Sequence, residues 1–411
     1  MKKVFVTDGN LRSTLAAVRS LGRTGAWIGV GETVPRSLAA ASRYCRESLV
    51  YPSPYGVPET FQEFLIEKLP KMGYTHLLAT SDLTVQLVAP LAQVLEKKIV
   101  VMTGSAEALH RVQDKAAMVE DAPRVGIAVP RTIVPHSRTE LLQFAEEVGF
   151  PVVVKPRRSR QLIRGQWRTG AVRYAWTPED LVEIYDNCPV PGPLVQERVK
   201  GEGRGVFLLM WNGEVKAAFS HRRLREKPPW GGTSVLSESI PLDETLARNA
   251  AELLRRAHWQ GPAMVECKVD EHTGEAKLME VNGRYWGSLQ LALDAGVDFP
   301  KLHLALASGE NTPALTEYRS GVKCRWLLGD LDALVSLWRA TPRQQQLYAR
   351  SLSRGHAFME FLKFAGPGLH YDVTSLADPA PGWYELRGYL TENLQLAACA
   401  MRHDCGRATT L

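Results

Sequence analysis

The sequence predicts a mixed α/β and α+β fold: a parallel-sheet domain first, antiparallel hairpins in the middle, and a mixed, largely helical extension at the end. Three observations carry that expectation. In the N-terminal part, short apolar runs alternate with helical runs, the rhythm of a parallel sheet covered by helices. Between Pro193 and Asn282 the runs alternate with period two and are punctuated by Asn212-Gly213 and by "EHTGE", the marks of antiparallel hairpins. Beyond residue 310 the apolar spacing returns to three and four, as in helices.

Bulk properties bound the rest. At 411 residues the chain exceeds what one core ordinarily serves, so two or three domains are expected. Its 45% hydrophobic and 23% charged content is ordinary for a soluble globular protein. The net charge of +6 suits anionic small molecules and nucleic acid alike. Cysteines at 45, 188, 267, 324, 399 and 405 form no CxxC pair and no zinc spacing with histidine, so reduced thiols in a cytoplasmic protein are expected. The first apolar run meets Asp8 too early for a signal peptide, and none reaches the roughly 18 residues of a membrane span.

Taken in order, "KVFVTDG" reads as a strand, "NLRSTLAAVRSLGRTG" as a helix with Leu11, Leu15, Val18 and Leu21 on one face, and "AWIGVGE" as a second strand. "THLLATSD" and "KKIVVMTG" follow as strands around the helical "TVQLVAPLAQVLEKK". Loops at the carboxyl ends of such strands ordinarily take the ligand, which draws attention to Asp8 and Asp82; either could instead simply cap the next helix. "QDKAAMVEDAPRVGIAVPRTIV" is a helix and loop, "TELLQFAEEVG" a helix, and "FPVVVKP" a strand that ends on Lys155. A lysine closing so apolar a strand either pairs with an anion or extends its ammonium to water.

Six arginines between Arg157 and Arg173 surround Trp167. That run suits a mobile loop over phosphates, a solvated surface, or an RNA patch with Trp167 stacking on a base. "PLVQERVKGEGRGVFLLMWNGEVKAAFSHRRL" supplies a strand, a polar hinge and a hairpin turned at Asn212-Gly213. The hinge could pair with an adenine edge, with Glu197 or Glu202 accepting from ribose hydroxyls. The cationic stretch from His221 to Lys227 suits an anionic substrate.

The hairpin "PAMVECKVD" and "AKLMEVN" is the most informative stretch. If residues whose numbers sum to about 546 pair, Glu266 lies opposite Glu280. Like charges so placed destabilise a sheet, and a divalent cation reverses the sign, since carboxylates and an amide oxygen are Mg²⁺ ligands. Leu278, Glu280 and Asn282, two apart, are expected to form one row about 7 Å from neighbour to neighbour, with Leu278 against a nucleotide base. The alternative, Asn282-Gly283 as a plain hairpin turn, needs a return strand, and "RYWGSLQLALDAGVD" looks helical instead.

The series "VVVKP", "VQERVKG", "VECKVD" and "LMEVNGRYWGS" resembles the ATP-grasp superfamily, in its carboxylate-amine (amino-acid) ligase branch related to carbamoyl-phosphate synthetase and biotin carboxylase. The resemblance covers roughly residues 1–310. It implies a Rossmann-like pre-ATP-grasp domain over 1–112, ATP-grasp subdomains over 113–192 (with the lid) and 193–310 (with the metal ligands), and a C-terminal extension over 311–411. It further implies that ATP is held by Lys115 and Lys155 at the phosphates, by Gln196, Glu197, Arg198 and Val199 at adenine, and by Glu202 at the ribose, with Leu278 at the base. Glu266, Glu280 and Asn282 would bind Mg²⁺ (or Mn²⁺). Arg284 would steady the transferred phosphate or the acyl intermediate, and Arg222 and Lys268 join it as catalytic cations. One departure stands out: the family's phosphate-covering loop is usually glycine-rich, whereas residues 157–170 here are rich in arginine.

The implied activity is ADP-forming amide-bond synthesis between a small carboxylate and an amine, without membrane attachment, with nucleic acid disfavoured and a homodimer allowed. An ATP-dependent carboxylase or another ATP-grasp phosphoryl-transfer enzyme, a nucleotide-binding regulator, or an RNA-binding protein are the alternatives. The sequence holds no G-x-x-x-x-G-K-[ST], G-x-S-x-G or H-E-x-x-H motif, so the commoner phosphate and hydrolase signatures offer no rival. In the extension, "GVKCRWLL" reads as a strand, "DALVSLWRA" and "RQQQLYARSLSRGHAFMEFLKF" as helices, and "ACAMRHDCGRATTL" as a loose tail. Leu331, Leu334, Val335 and Trp338 are expected to form the packed face of one helix.

Overall fold

The computed structural model describes residues 1–348 and 353–401, the last six of them by backbone alone. Its first sheet is the expected parallel one. Strands β1 (Lys3–Val6), β2 (Trp27–Glu32), β3 (Glu47–Val50), β4 (His76–Leu78) and β5 (Val100–Val101) lie in the order β3-β2-β1-β4-β5, every neighbour parallel. Helices Arg12–Arg23 and Pro58–Lys71 cover it. The apolar residues Leu15, Val18 and Leu21 of the first are fully buried. The helical run after β4 is broken in three, at Asp82–Val88, Ala89–Leu91 and Ala92–Leu95. Pro90 lies at the break, lacking the N–H a continuous helix needs.

A four-stranded antiparallel sheet follows, β10-β7-β11-β6, built from β6 (Thr132–Ile133), β7 (Val152–Lys155), β10 (Arg173–Ala175) and β11 (Leu194–Gln196). Between β7 and β10 the arginine run is a two-stranded hairpin of β8 (Arg160–Ile163) and β9 (Gln166–Thr169). It is therefore an ordered arm. Trp167 is 7% exposed and donates its indole N–H to the Pro54 carbonyl at 3.0 Å. Packed against the N-terminal domain, the ring is not available to stack on a base, which removes the aromatic half of the RNA reading.

The largest sheet has seven strands in the order β16-β15-β12-β13-β14-β17-β18: β12 (Gly201–Trp211), β13 (Glu214–Lys227), β14 (Thr233–Ser239), β15 (Gly261–Asp270), β16 (Ala276–Asn282), β17 (Lys323–Arg325) and β18 (Leu369–Tyr371). β12 and β13 are joined at Asn212 and Gly213, both left-handed at φ 51° and 78°, as a tight hairpin turn requires. After Asn282 the chain enters helix Leu289–Ala295 with no return strand, so Asn282 is not a hairpin turn. The segment after residue 310 contributes β17 and β18 to this sheet. Its last helix, Ala380–Met401, is preceded by a loop anchored to the N-terminal domain through Asp378, which accepts from the Arg19 guanidinium at 2.8 Å.

Two expectations for the extension change. In helix Leu327–Trp338 the buried apolar residues are Ala333 and Leu337, while Val335 and Trp338 are exposed; the packed face is turned away from the one the larger side chains suggested. The run from Arg343 to Phe364 forms helices Pro342–Leu347 and Arg354–Phe361, with residues 349–352 outside the described part. Of "ACAMRHDCGRATTL", the part to Met401 continues the last helix, and residues 402–411 lie outside the described part. Cys45, Cys188, Cys267 and Cys324 are all free thiols. No described helix is long and apolar enough to cross a membrane.

Candidate functional site

The β15–β16 hairpin sets Glu266 directly opposite Glu280 and Met264 opposite Asn282, the register expected. Each carboxylate meets a cation. Glu280 lies 3.2 Å from the Lys115 ammonium and accepts from the Asn282 amide at 2.9 Å. Burial alone pushes its pKa up, but Lys115, the Asn282 hydrogen bond and Lys155 outweigh that and hold it at about 2. Glu266 is raised above the ordinary carboxylate range by burial, Glu280 adding repulsion and Arg223 opposing both. Among the described residues no cluster of three or more His, Cys, Asp or Glu is arranged to hold a metal. The donors here are two carboxylates and one amide, oxygens of the hard kind that Mg²⁺ takes, so the set fits such an ion.

Just after Glu266 the register slips by one residue, so that Cys267 faces Leu278. This bulge inverts the alternation of side chains on one strand. Leu278 is consequently 1% exposed and packs with Val265, Cys267 and Val281 in the core beneath the sheet. The expected row is corrected: Met279 faces the cleft in place of Leu278, 4.0 Å from the Lys155 ammonium.

Arg222 is corrected by the same logic. Across β12, Gly205 pairs with both Glu266 and His221, and Arg204 with Arg222, so Arg222 points to the face opposite Glu266. There it binds Glu238 at 2.7 Å and approaches Glu202 at 3.7 Å. Arg223 occupies the functional face and reaches the Glu266 carboxylate at 2.5 Å and Glu226 at 3.0 Å. Gly203 clears its path, since a Cβ there would sit 3.1 Å from the Arg223 Cδ; Gly205 instead leaves room for the Phe207 ring, which a Cβ would approach to 2.5 Å. Glu202 is not brought to the cleft either. It is held by Arg204 at 2.9 Å and lines a neighbouring cavity under helix Leu327–Trp338.

These residues floor a cavity of about 600 Å³ between the two antiparallel sheets. Its lining brings Gln196, Glu197, Arg198 and Val199 with Met279 and Tyr174 into one space with Lys268, Glu266, Glu280, Asn282 and Arg284. Gln196 donates to Thr132 at 2.8 Å. Glu197 accepts from Lys277 at 3.1 Å, and Arg198 donates to the Leu347 carbonyl at 2.8 Å. Val199 is 6% exposed. Lys155 has no ion pair among the described residues; burial lowers its pKa to about 8, Glu280 partly opposing. Lys268 is lowered as well, again by burial first. Lys115 begins helix Lys115–Asp121 and donates to Ser159 at the root of the arm at 3.0 Å.

Arg284 joins this cleft to the N-terminal domain. Its guanidinium grips Asp82 in a fork, at 2.6 and 2.8 Å, and donates to the Asn282 oxygen at 3.2 Å. Asp82 is the first residue of helix Asp82–Val88, whose cap is Ser81, so it is an ion-pair partner and not a cap. Asp8 is not a cap either: its carboxylate ties the strand ends together, accepting from Ser81 and Thr84. His221, 1% exposed, is kept well below its ordinary pKa by burial and by Arg223.

A cleft of this make-up between two antiparallel sheets, behind a parallel-sheet domain, can be compared with known proteins. The family model described as "ATP-grasp in the biosynthetic pathway with Ter operon" matches residues 190–329, the stretch that carries the Glu266–Glu280 hairpin. Over those residues the chain matches the ATP-grasp family. Carbamoyl phosphate synthase large chain of Thermus thermophilus is 28% identical over 325 residues, covering 69% of this chain and 30% of that protein. The chain thus spans about a third of the length of this curated relative. The biotin carboxylase domain of Hydrogenobacter thermophilus 2-oxoglutarate carboxylase, a structure in complex with MgADP, ADP and bicarbonate, superposes with a TM-score of 0.63 at 16% identity, over 78% of this chain and 73% of that one. N5-carboxyaminoimidazole synthetase of Staphylococcus aureus gives 0.60 at 13%, over 78% and 80%. At such identities the likeness is one of fold.

Proposed function

We propose that this chain is an ATP-dependent ligase that joins a carboxylate to an amine through an acyl phosphate, releasing ADP and phosphate. The observation that carries the reading is the opposed pair Glu266 and Glu280 with Asn282, set between the lysines Lys115 and Lys155 and next to Arg284. A carboxylate is a poor partner for an amine because oxide would have to leave, so phosphorylation comes first. Catalysis of that step is mostly positioning and charge neutralisation.

In this reading Lys115 and Lys155 lie along the phosphates of ATP. Gln196 to Val199 and Met279 bracket the adenine. Glu266, Glu280 and Asn282 would hold Mg²⁺, which when bound draws charge from the phosphate oxygens. Arg223 holds the Glu266 carboxylate in place by its ion pair, Lys268 faces the phosphates, and Arg284 steadies the acyl phosphate as the amine attacks. Neither Arg222 nor Glu202 has a part in it, and Leu278 is a core residue.

The bicarbonate in the Hydrogenobacter structure favours a second reading, in which bicarbonate is the carboxylate and the product is a carboxylated acceptor. One assay separates the two. ADP release is measured across amino acids, dipeptides, small acids and bicarbonate, with and without an amine. An amine-dependent signal from an organic acid supports the ligase; a signal that needs only bicarbonate and an acceptor supports the carboxylase. Glu280→Gln serves as control, since it removes a metal charge and almost no volume. It should abolish turnover while the circular dichroism spectrum stays native, and full turnover by the folded variant would refute the metal assignment.

A further inference from the structure

A second cavity, about 1370 Å³, opens beside the cleft and shares Thr233, Arg284 and Gly287 with it. Its walls include the carboxyl ends of β1 and β4 at Asn10 and Thr80, the loop after β2 at Arg36, the root of the arm at Arg160, the start of helix Leu327–Trp338 at Leu328 and Asp332, and the C-terminal helix between Tyr384 and Glu392. It exceeds the 300–1,000 Å³ usual for a drug-sized ligand, so a single small amino acid would leave it mostly filled with water.

Its charges do not cancel. Within the wall Arg284 is matched by Asp82 and Lys227 by Asp332. Arg12 is taken by Asp372 and stacks over Trp326 at 4.1 Å. Glu385 accepts from the Trp326 indole at 2.7 Å, and burial raises its pKa. Arg36, Arg160 and Arg387 line the same space and have no ion pair among the described residues. Against those three guanidinium groups stand Glu385 and Glu392.

We propose that this chamber binds an elongated acid of peptide size with two or more carboxylates, its reacting end at the mouth shared with the nucleotide cleft and the others at Arg36, Arg160 and Arg387. The C-terminal helix, through Arg387, then decides which acid is accepted. Arginine suits this task because its planar fork matches a carboxylate in two hydrogen bonds. The identity of the reacting end rests on the ligase reading; the preference for an acidic peptide does not.

The test is calorimetric titration of the full chain with triglutamate, trialanine and trilysine. Triglutamate should bind at least tenfold more tightly than the other two. The double variant Arg36→Glu/Arg387→Glu, changed at two exposed positions away from the nucleotide cleft, should lose at least tenfold of that affinity and keep ATP affinity within twofold. Equal binding of the three peptides, or unchanged triglutamate affinity in the folded double variant, overturns the proposal. The ligase reading fails differently: triglutamate binds as expected, yet no amine elicits ADP release. Amine-dependent ADP release from neutral acids that the double variant leaves untouched would refute the chamber's role and spare the ligase.

Discussion

Replacing Lys155 by methionine separates binding from stability. Without ligand, this ammonium closes an apolar strand with no carboxylate within ion-pair distance among the described residues, and burial takes its pKa from 10.5 to about 8. At about 1.4 kcal/mol per pH unit, that displacement corresponds to a destabilisation on the order of 3 kcal/mol while the lysine is charged in both states. Because the folded-state pKa is the lower one, the cost is full below pH 8 and fades as pH rises from about 8 towards 10.5. Lys155→Met should therefore raise the free energy of urea unfolding by about 2 to 3 kcal/mol at pH 7. The two proteins should converge near pH 10.5, where what remains measures packing alone. By calorimetry the same variant should bind ATP at least tenfold more weakly. Equal stability at pH 7, or an advantage that persists undiminished at high pH, would refute the buried-charge argument; unchanged ATP affinity would remove Lys155 from the phosphates.

Two further substitutions test the sheet's geometry. Leu278→Ala should cost about 2 to 5 kcal/mol, as a buried leucine does, with ATP affinity unchanged, while Met279→Ala should weaken ATP binding several-fold at little cost in stability; the reverse pattern would place the bulge wrongly. Arg223→Met leaves Glu266 without its cation, so turnover should fall at least a hundredfold and the pH at which activity is lost on acidification should move upward. Arg222→Met, on the far face, should change neither by more than about twofold, and parity between the two variants would contradict the register of β12 and β13.

Much of this was legible in the chain because it is local. The parallel sheet follows from alternating runs, and the pairing of Glu266 with Glu280 follows from a five-residue turn between two alternating strands. What escaped depends on distant partners or on a single extra residue. The bulge that turns Leu278 inward has no signature in "AKLMEVN". Whether Arg222 or Arg223 faces the cleft is set by pairing across β12, although the glycines at 201, 203 and 205 hinted that one face there had to be kept clear. Trp167 reads as a free aromatic until Pro54, 113 positions away, is seen to accept its N–H. Arg284 likewise finds Asp82 across 202 positions. In helix Leu327–Trp338, size misled: the small Ala333 faces the core and Trp338 does not.

The acyl phosphate is the central claim, and isotope transfer tests it most directly. With a productive acid and amine identified, the acid is labelled with ¹⁸O in its carboxylate, and the released phosphate is analysed by mass spectrometry alongside the nucleotide product. One labelled oxygen per turnover should appear in inorganic phosphate, and ATP should yield ADP. Label in AMP, with pyrophosphate released, would replace phosphorylation of the acid by adenylation and contradict the account.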